Sequence, residues 1–178
     1  MHNAIKEILI SQTEIQNKIR ELGKQITRDY KDKSPVLISI LKGGVVFLAD
    51  LMRQIELPLE IEFLGVESYG DSTHTSGVVQ ITKDCKIDLT GKDVLIIEDI
   101  IDTGLSLNYI IDLLQKKNPR SIQVCVFLDK VEARLKEVDI KYKCFDIPNK
   151  FVVGYGLDYA ENYRNLPYVG MLREEIYK

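Results

Sequence analysis

Val94-Leu95-Ile96-Ile97-Glu98-Asp99-Ile100-Ile101-Asp102-Thr103-Gly104-Leu105-Ser106 joins a four-residue apolar run to two acids, a short acidic and hydroxyl turn, and the start of a helical pattern. A short run that is apolar at every position, followed at once by a helix, reads as a strand buried on both faces of a parallel sheet. The helix behind it carries Leu105, Ile110, Leu113 and Leu114 on its inner side and runs to Asn118-Pro119. The same grammar recurs on either side. Ile122 to Leu128 is another apolar strand, and Val36 to Leu41 is a third, followed by Lys42-Gly43-Gly44 and a helix from Val45 to about Ile55.

Further out, Ser11-Gln12-Thr13-Glu14 has the form of a capping box. Ile15, Ile19, Leu22 and Ile26 follow at three- and four-residue steps, which predicts an amphipathic helix over about 12–30. Leu59 to Val66 alternates in part and Val78 to Ile81 returns, so 59–82 is expected to form a hairpin. Its tip, Gly70 to Gly77, is polar and aperiodic and is expected to be a flexible loop. The tail, with Pro148, Gly154, Gly156 and Pro167, reads as short strands and turns. The expected fold is α/β: a mainly parallel central sheet flanked by helices, in a single domain. Its core spans about 11–146, and the chain ends, about 1–10 and 147–178, build a small hood.

The composition sets limits on function. With 178 residues, 45% of them hydrophobic, and a formal net charge of −3, the chain is long enough to bury a core without metal or disulfide staples. Mild acidity argues against a protein held on nucleic acid by bulk charge. No apolar stretch approaches the ~20 residues of a membrane span. The N-terminus lacks a charged-then-apolar signal pattern. The three cysteines, Cys85, Cys125 and Cys144, are widely spaced and odd in number, as expected for reduced thiols in the cytoplasm. Only His2 and His74 are present, which excludes a histidine-rich metal site and most Ser-His or Cys-His catalysis. Any metal would be held by carboxylates, which points to Mg2+.

The chemistry converges on the opening stretch. Parallel α/β sheets bind ligands outside the carboxyl ends of their strands. Glu98 and Asp99 stand at such an end, with side chains expected on opposite faces if the strand continues through them. Gly104 permits close approach of backbone to a ligand. Thr103 and Ser106 supply hydroxyls, and the first amides of the helix favour a phosphate. Carboxylates would repel a phosphate that they touched, so they are expected to grip something attached to it: the diol of a ribose, or Mg2+ on that diol. A ribose 5-phosphate satisfies both demands. The plain alternative is a strand-to-helix turn whose acids merely cap the helix.

This stretch resembles the phosphoribosyl-pyrophosphate signature of the type I phosphoribosyltransferases. The rest of the chain is similar to their hypoxanthine (hypoxanthine-guanine) branch, from Glu21-Leu22-Gly23 through Leu41-Lys42-Gly43-Gly44 and Ser68-Tyr69-Gly70 to Lys150-Phe151-Val152-Val153-Gly154-Tyr155-Gly156-Leu157-Asp158-Tyr159 and Tyr163-Arg164-Asn165-Leu166-Pro167-Tyr168. The resemblance implies that Glu98 and Asp99 hold the ribose hydroxyls, directly or through Mg2+. It makes Asp102 the general base or hydrogen-bond acceptor at the purine N7, with Thr103, Gly104, Leu105 and Ser106 around the 5-phosphate. Leu41, Lys42 and Gly43 would form the pyrophosphate loop, with a cis peptide at Leu41-Lys42. Lys130 would meet the purine 6-oxo group, Phe151 would stack on the ring, and the backbone of Val152 would reach the 2-position. Asp158 would bind a second Mg2+, Arg164 would neutralise pyrophosphate, and Ser68-Tyr69 would open a loop that closes over the reacting centre.

The implied activity is Mg2+-dependent transfer of a 5-phosphoribosyl group to hypoxanthine or guanine. The implied partners are small molecules only, with no nucleic acid and no membrane, in a homodimer or homotetramer. A regulator that senses phosphoribosyl pyrophosphate and binds nucleic acid is the alternative from another class. Xanthine remains open as a third base.

Overall fold

The structure, a computed structural model, describes residues 3–68 and 79–177. In chain order the first elements are β1 (Ile5–Ile10), α1 (Gln12–Asp29), β2 (Val36–Leu41), α2 (Gly44–Met52), β3 (Glu60–Ser68) and β4 (Val79–Lys83). Then come β5 (Asp93–Ile101), α3 (Leu105–Gln115), β6 (Ser121–Asp129), a 3-10 turn at Val131–Ala133, and β7 (Tyr142–Asp146). The tail adds β8 (Val152–Val153), β9 (Val169–Leu172) and a four-residue helix, α4 (Glu174–Tyr177).

Six strands form one sheet in the order β4-β3-β2-β5-β6-β7, parallel throughout except for the β3-β4 pair. The apolar runs explain why. Leu37, Leu95, Ile97, Cys125 and Phe127 face a core shared with α1 and α2, through Ile15, Ile19, Leu22, Phe47 and Leu51. Their neighbours Val36, Ile38, Ile40, Val94, Ile96, Val124 and Val126 face a second core with Leu107, Ile110 and Leu114 of α3. A sheet covered on both sides needs apolar residues at every strand position, and these strands supply them. The buried face of α3 therefore uses Leu107, not the expected Leu105 and Leu113, which are only partly buried.

The capping box at α1 forms as expected: the Glu14 N–H donates to Ser11 Oγ at 3.3 Å, and the Ser11 N–H donates to Glu14 Oε2 at 2.8 Å. Helix α2 stops at Met52, three residues short of the expected end. A second sheet, β1-β9-β8, brings the two chain ends together by antiparallel pairing. Strand β1 has no counterpart among the sequence expectations. The arms of the expected hairpin pair antiparallel as β3 and β4, while the loop 70–77 and Tyr69 lie outside the described residues. Among the described residues no helix is long and apolar enough to cross a membrane.

Glu62 ties this hairpin together. Its carboxylate accepts from Lys83 Nζ at 2.8 Å, from the Phe63 N–H at 2.8 Å and from the Lys86 N–H at 3.1 Å. The Lys83 bond first, and the two amides with it, hold its pKa down to about 2 against an ordinary 4.5. A depressed carboxylate pKa stabilises the fold above the unfolded-state value and loses that contribution as the pH falls through the folded one. Amide protection in β4 should therefore decline as the pH drops from about 4.5 to about 2. Hydrogen exchange on Glu62→Gln should lack that dependence; an unchanged pH profile would refute the role.

Candidate active site

Strand β5 extends four residues beyond its apolar run and carries Glu98 and Asp99 into the carboxyl edge of the sheet. The expectation that their side chains part to opposite faces is not met. Both acids line one cavity of about 210 Å³, together with Asp102, Thr103, Gly104 and Ser106, and each carboxyl perturbs the other. The reason is local. Leu95 and Ile97 face the α1/α2 core and Val94 and Ile96 the α3 core, yet Ile100 packs towards the former and Ile101 towards the latter. Strict alternation is thus lost between Ile97 and Ile100, and Asp99 Oδ1 accepts from the Ile100 N–H at 2.8 Å. Burial, then the neighbouring carboxylate, raises the pKa of Glu98 well above the ordinary range, and burial raises that of Asp99 too. Two acids in this position cannot both ionise cheaply unless a cation or hydroxyl donors meet them.

The turn that follows is built to expose amides. Gly104 caps α3 at φ +79° without any side-chain cap, and a Cβ there would lie 2.3 Å from the carbonyl oxygen of Lys136. Thr103 Oγ accepts from the Leu105 N–H at 3.4 Å, and the Thr103 carbonyl accepts from Leu135 and Lys136, both at 3.0 Å. The segment after β6 thus clamps the turn from outside. Leu105 opens α3, half-buried. Arg134, to which the sequence analysis assigned no role, has its side chain buried against Asp129 and donates from Nε to the Asp102 carbonyl at 3.2 Å.

Adjacent strand ends bring the two proposed base-binding residues together. Ile101 pairs with Asp129, so Asp102 and Lys130 emerge side by side, and the Lys130 N–H donates to the Ile101 carbonyl at 3.0 Å. Lys130 Nζ lies 3.0 Å from Asp102 Oδ1, with only 11% of the lysine side chain exposed. A nearly buried ammonium beside a half-exposed carboxylate offers one donor and one acceptor to a planar ligand edge.

A third group assembles across the strand ends. The Leu41-Lys42 peptide is cis. Gly43 follows, and a Cβ there would fall 1.5 Å from Asp99 Oδ2, so only glycine lets the loop meet that acid. Gly156, at φ +100°, packs against the Gly43 carbonyl in the same way: a Cβ there would fall 2.2 Å from its oxygen. Arg164 pairs with Asp158 at 2.9 Å and donates to the Gly156 carbonyl at 2.8 Å, while its Nε is buried without a hydrogen-bond partner. Glu161, which the sequence reading missed, links Lys42 at 3.1 Å to Arg164 at 3.4 Å.

Phe151 is not among the residues of the 210 Å³ cavity. Its ring stacks on Tyr177 at 4.9 Å and 22° and meets Tyr159 edge-on at 5.6 Å. Val152 is buried on β8, and Ser68 ends β3. Among the described residues no three His, Cys, Asp or Glu side chains cluster as a metal site. Glu98, Asp99 and Asp158 are hard oxygen donors in ones and twos. That set suits Mg2+, which keeps waters and phosphate oxygens as its other ligands.

A parallel sheet whose strand end carries paired acids into a glycine-opened helix start defines the phosphoribosyltransferase class, and the phosphoribosyl transferase domain family matches residues 11–160. Among curated relatives, the hypoxanthine-guanine phosphoribosyltransferase of Streptococcus agalactiae is 50% identical over 177 residues, 99% of this chain and 98% of its own length. Among solved structures, a hypoxanthine phosphoribosyltransferase from Staphylococcus aureus superposes with a TM-score of 0.96 at 47% identity, covering 100% of this chain and 97% of the other. The chain also matches the bifunctional protein TilS/HprT of Listeria monocytogenes at 48% identity, spanning 27% of that protein's length. The chain belongs to the hypoxanthine-guanine phosphoribosyltransferases, and its fold is the type I phosphoribosyltransferase fold expected from the sequence.

Proposed function

We propose that this chain transfers a 5-phosphoribosyl group from phosphoribosyl pyrophosphate to N9 of hypoxanthine or guanine, forming IMP or GMP and releasing pyrophosphate. The observation that carries the reading is the cavity in which Glu98, Asp99, Asp102, Thr103, Gly104 and Ser106 meet at one strand end. Amides and hydroxyls of Thr103 to Ser106 receive the 5-phosphate, and Glu98 and Asp99 receive the ribose hydroxyls. Glu98 and Asp99, and separately Asp158, would hold Mg2+, which when bound neutralises charge on the donor and its leaving group.

In the reaction the C1′–oxygen bond breaks and its electron pair leaves with pyrophosphate, while a ring nitrogen of the purine, N9, forms the new bond to C1′. Lys42 and Arg164 face the departing charge. Asp102 accepts the purine's N7 hydrogen, and Lys130 donates to the 6-oxo oxygen. No covalent protein intermediate is needed: the work is positioning and fixed charge. Lys130 also sets the choice of base, because a 6-amino group presents no acceptor to an ammonium.

Steady-state kinetics with hypoxanthine, guanine, xanthine and adenine, with and without Mg2+, tests this. Mg2+-dependent turnover of hypoxanthine and guanine but not adenine is expected. Adenine turnover of comparable kcat/KM would contradict the assignment of Lys130.

A further inference from the structure

Glu161 occupies an unexpected place. Its carboxylate contacts both Lys42 and Arg164, the two cations assigned above to pyrophosphate, at 3.1 and 3.4 Å. Its backbone is held for this. The Glu161 N–H donates to Asp158 Oδ2 at 2.9 Å, and Ala160 and Glu161 both adopt positive φ, 49° and 63°. Non-glycine residues adopt that conformation uncommonly, so the turn aims the side chain. A glutamate carboxylate held between two cations is a negative charge at neutral pH.

We propose that Glu161 is an internal stand-in for the leaving group: its carboxylate satisfies Lys42 and Arg164 until an incoming pyrophosphate anion displaces it. The inference rests on the assignment of Lys42 and Arg164 to the pyrophosphate site. Two consequences follow from the charges alone. Pyrophosphate must break both contacts to bind, and once bound it is repelled by the displaced carboxylate. Glu161 therefore lowers affinity for the polyanion and speeds its departure. The cost stays modest, since Lys42 and Glu161 are 67% and 65% exposed and such pairs are weak. A weak, exposed contact is what a displaceable anion requires.

Calorimetric titration of magnesium pyrophosphate onto the full chain tests the proposal. Glu161→Gln should bind pyrophosphate roughly two- to tenfold more tightly than the unaltered protein. Glu161→Asp, whose shorter arm cannot span both cations, should fall between them. The gain should shrink as salt is raised, because exposed charges are screened. Unchanged or weakened binding by Glu161→Gln overturns the proposal, as does a gain indifferent to salt. Lys42→Ala separates the two levels. If it weakens pyrophosphate binding while Glu161→Gln fails to strengthen it, only the stand-in role falls. If it leaves binding unaltered, the assignment of Lys42 falls and the proposal with it.

Discussion

Asp102→Asn is expected to lower kcat by roughly 10²- to 10⁴-fold, the range of general acid–base contributions, while binding of phosphoribosyl pyrophosphate persists. The substitution conserves size and leaves the turn's supports in place. Arg134 Nε still meets the residue-102 carbonyl, and Leu135 and Lys136 still meet that of Thr103. What disappears is a carboxylate able to accept the purine's N7 hydrogen, and with it the 3.0 Å ion pair to Lys130. The contacts proposed for the 5-phosphate and the ribose lie elsewhere, on Thr103 to Ser106 and on Glu98 and Asp99. Parallel measurement of kcat and of donor affinity decides the matter. An unchanged kcat removes Asp102 from the chemistry, and loss of both quantities together makes it a structural residue.

Lys130→Ala carries the second large effect. A hydrogen bond from a charged donor contributes ~1.5–3 kcal/mol, so KM for hypoxanthine should rise about 10- to 150-fold, with KM for the donor little altered. The Lys130 backbone bond to Ile101 survives the change, so the junction of β5 and β6 should hold. Adenine has no 6-oxo oxygen to lose a bond from, so discrimination between hypoxanthine and adenine should collapse mainly through hypoxanthine. The measurement is kcat/KM for both bases in the variant. An equal loss for both would assign Lys130 to general architecture, through its pairing with Asp102, and not to base selection.

The central sheet was legible because its strands are apolar at nearly every position: Val36 to Leu41, Val94 to Ile97 and Ile122 to Leu128 can only be buried on both faces. The strand-to-helix turn was legible for the same reason, since acids, glycine and hydroxyls directly behind such a strand stand out. Strand β1 was not. It is largely exposed between its buried ends, and it exists because β9, more than 150 residues away, pairs with it. Nothing local marks Arg134, and its burial depends on Asp129 and on the Asp102 carbonyl, which only the fold brings close. Glu161 lies 119 residues from Lys42, and no local pattern announces that contact. The shared cavity of Glu98 and Asp99 eluded a period-two reading because the pleat slips just where they sit. Short-range rules describe elements well; charge pairs between elements arise only once the chain has closed on itself.

The most direct test of the account is calorimetric titration of phosphoribosyl pyrophosphate with Mg2+ onto the protein, repeated on Asp99→Asn. One-to-one binding with measurable heat is expected, strongly weakened when residue 99 no longer offers a charge to the ribose hydroxyls. Absence of heat with the unaltered protein, or identical affinity in the variant, would contradict it.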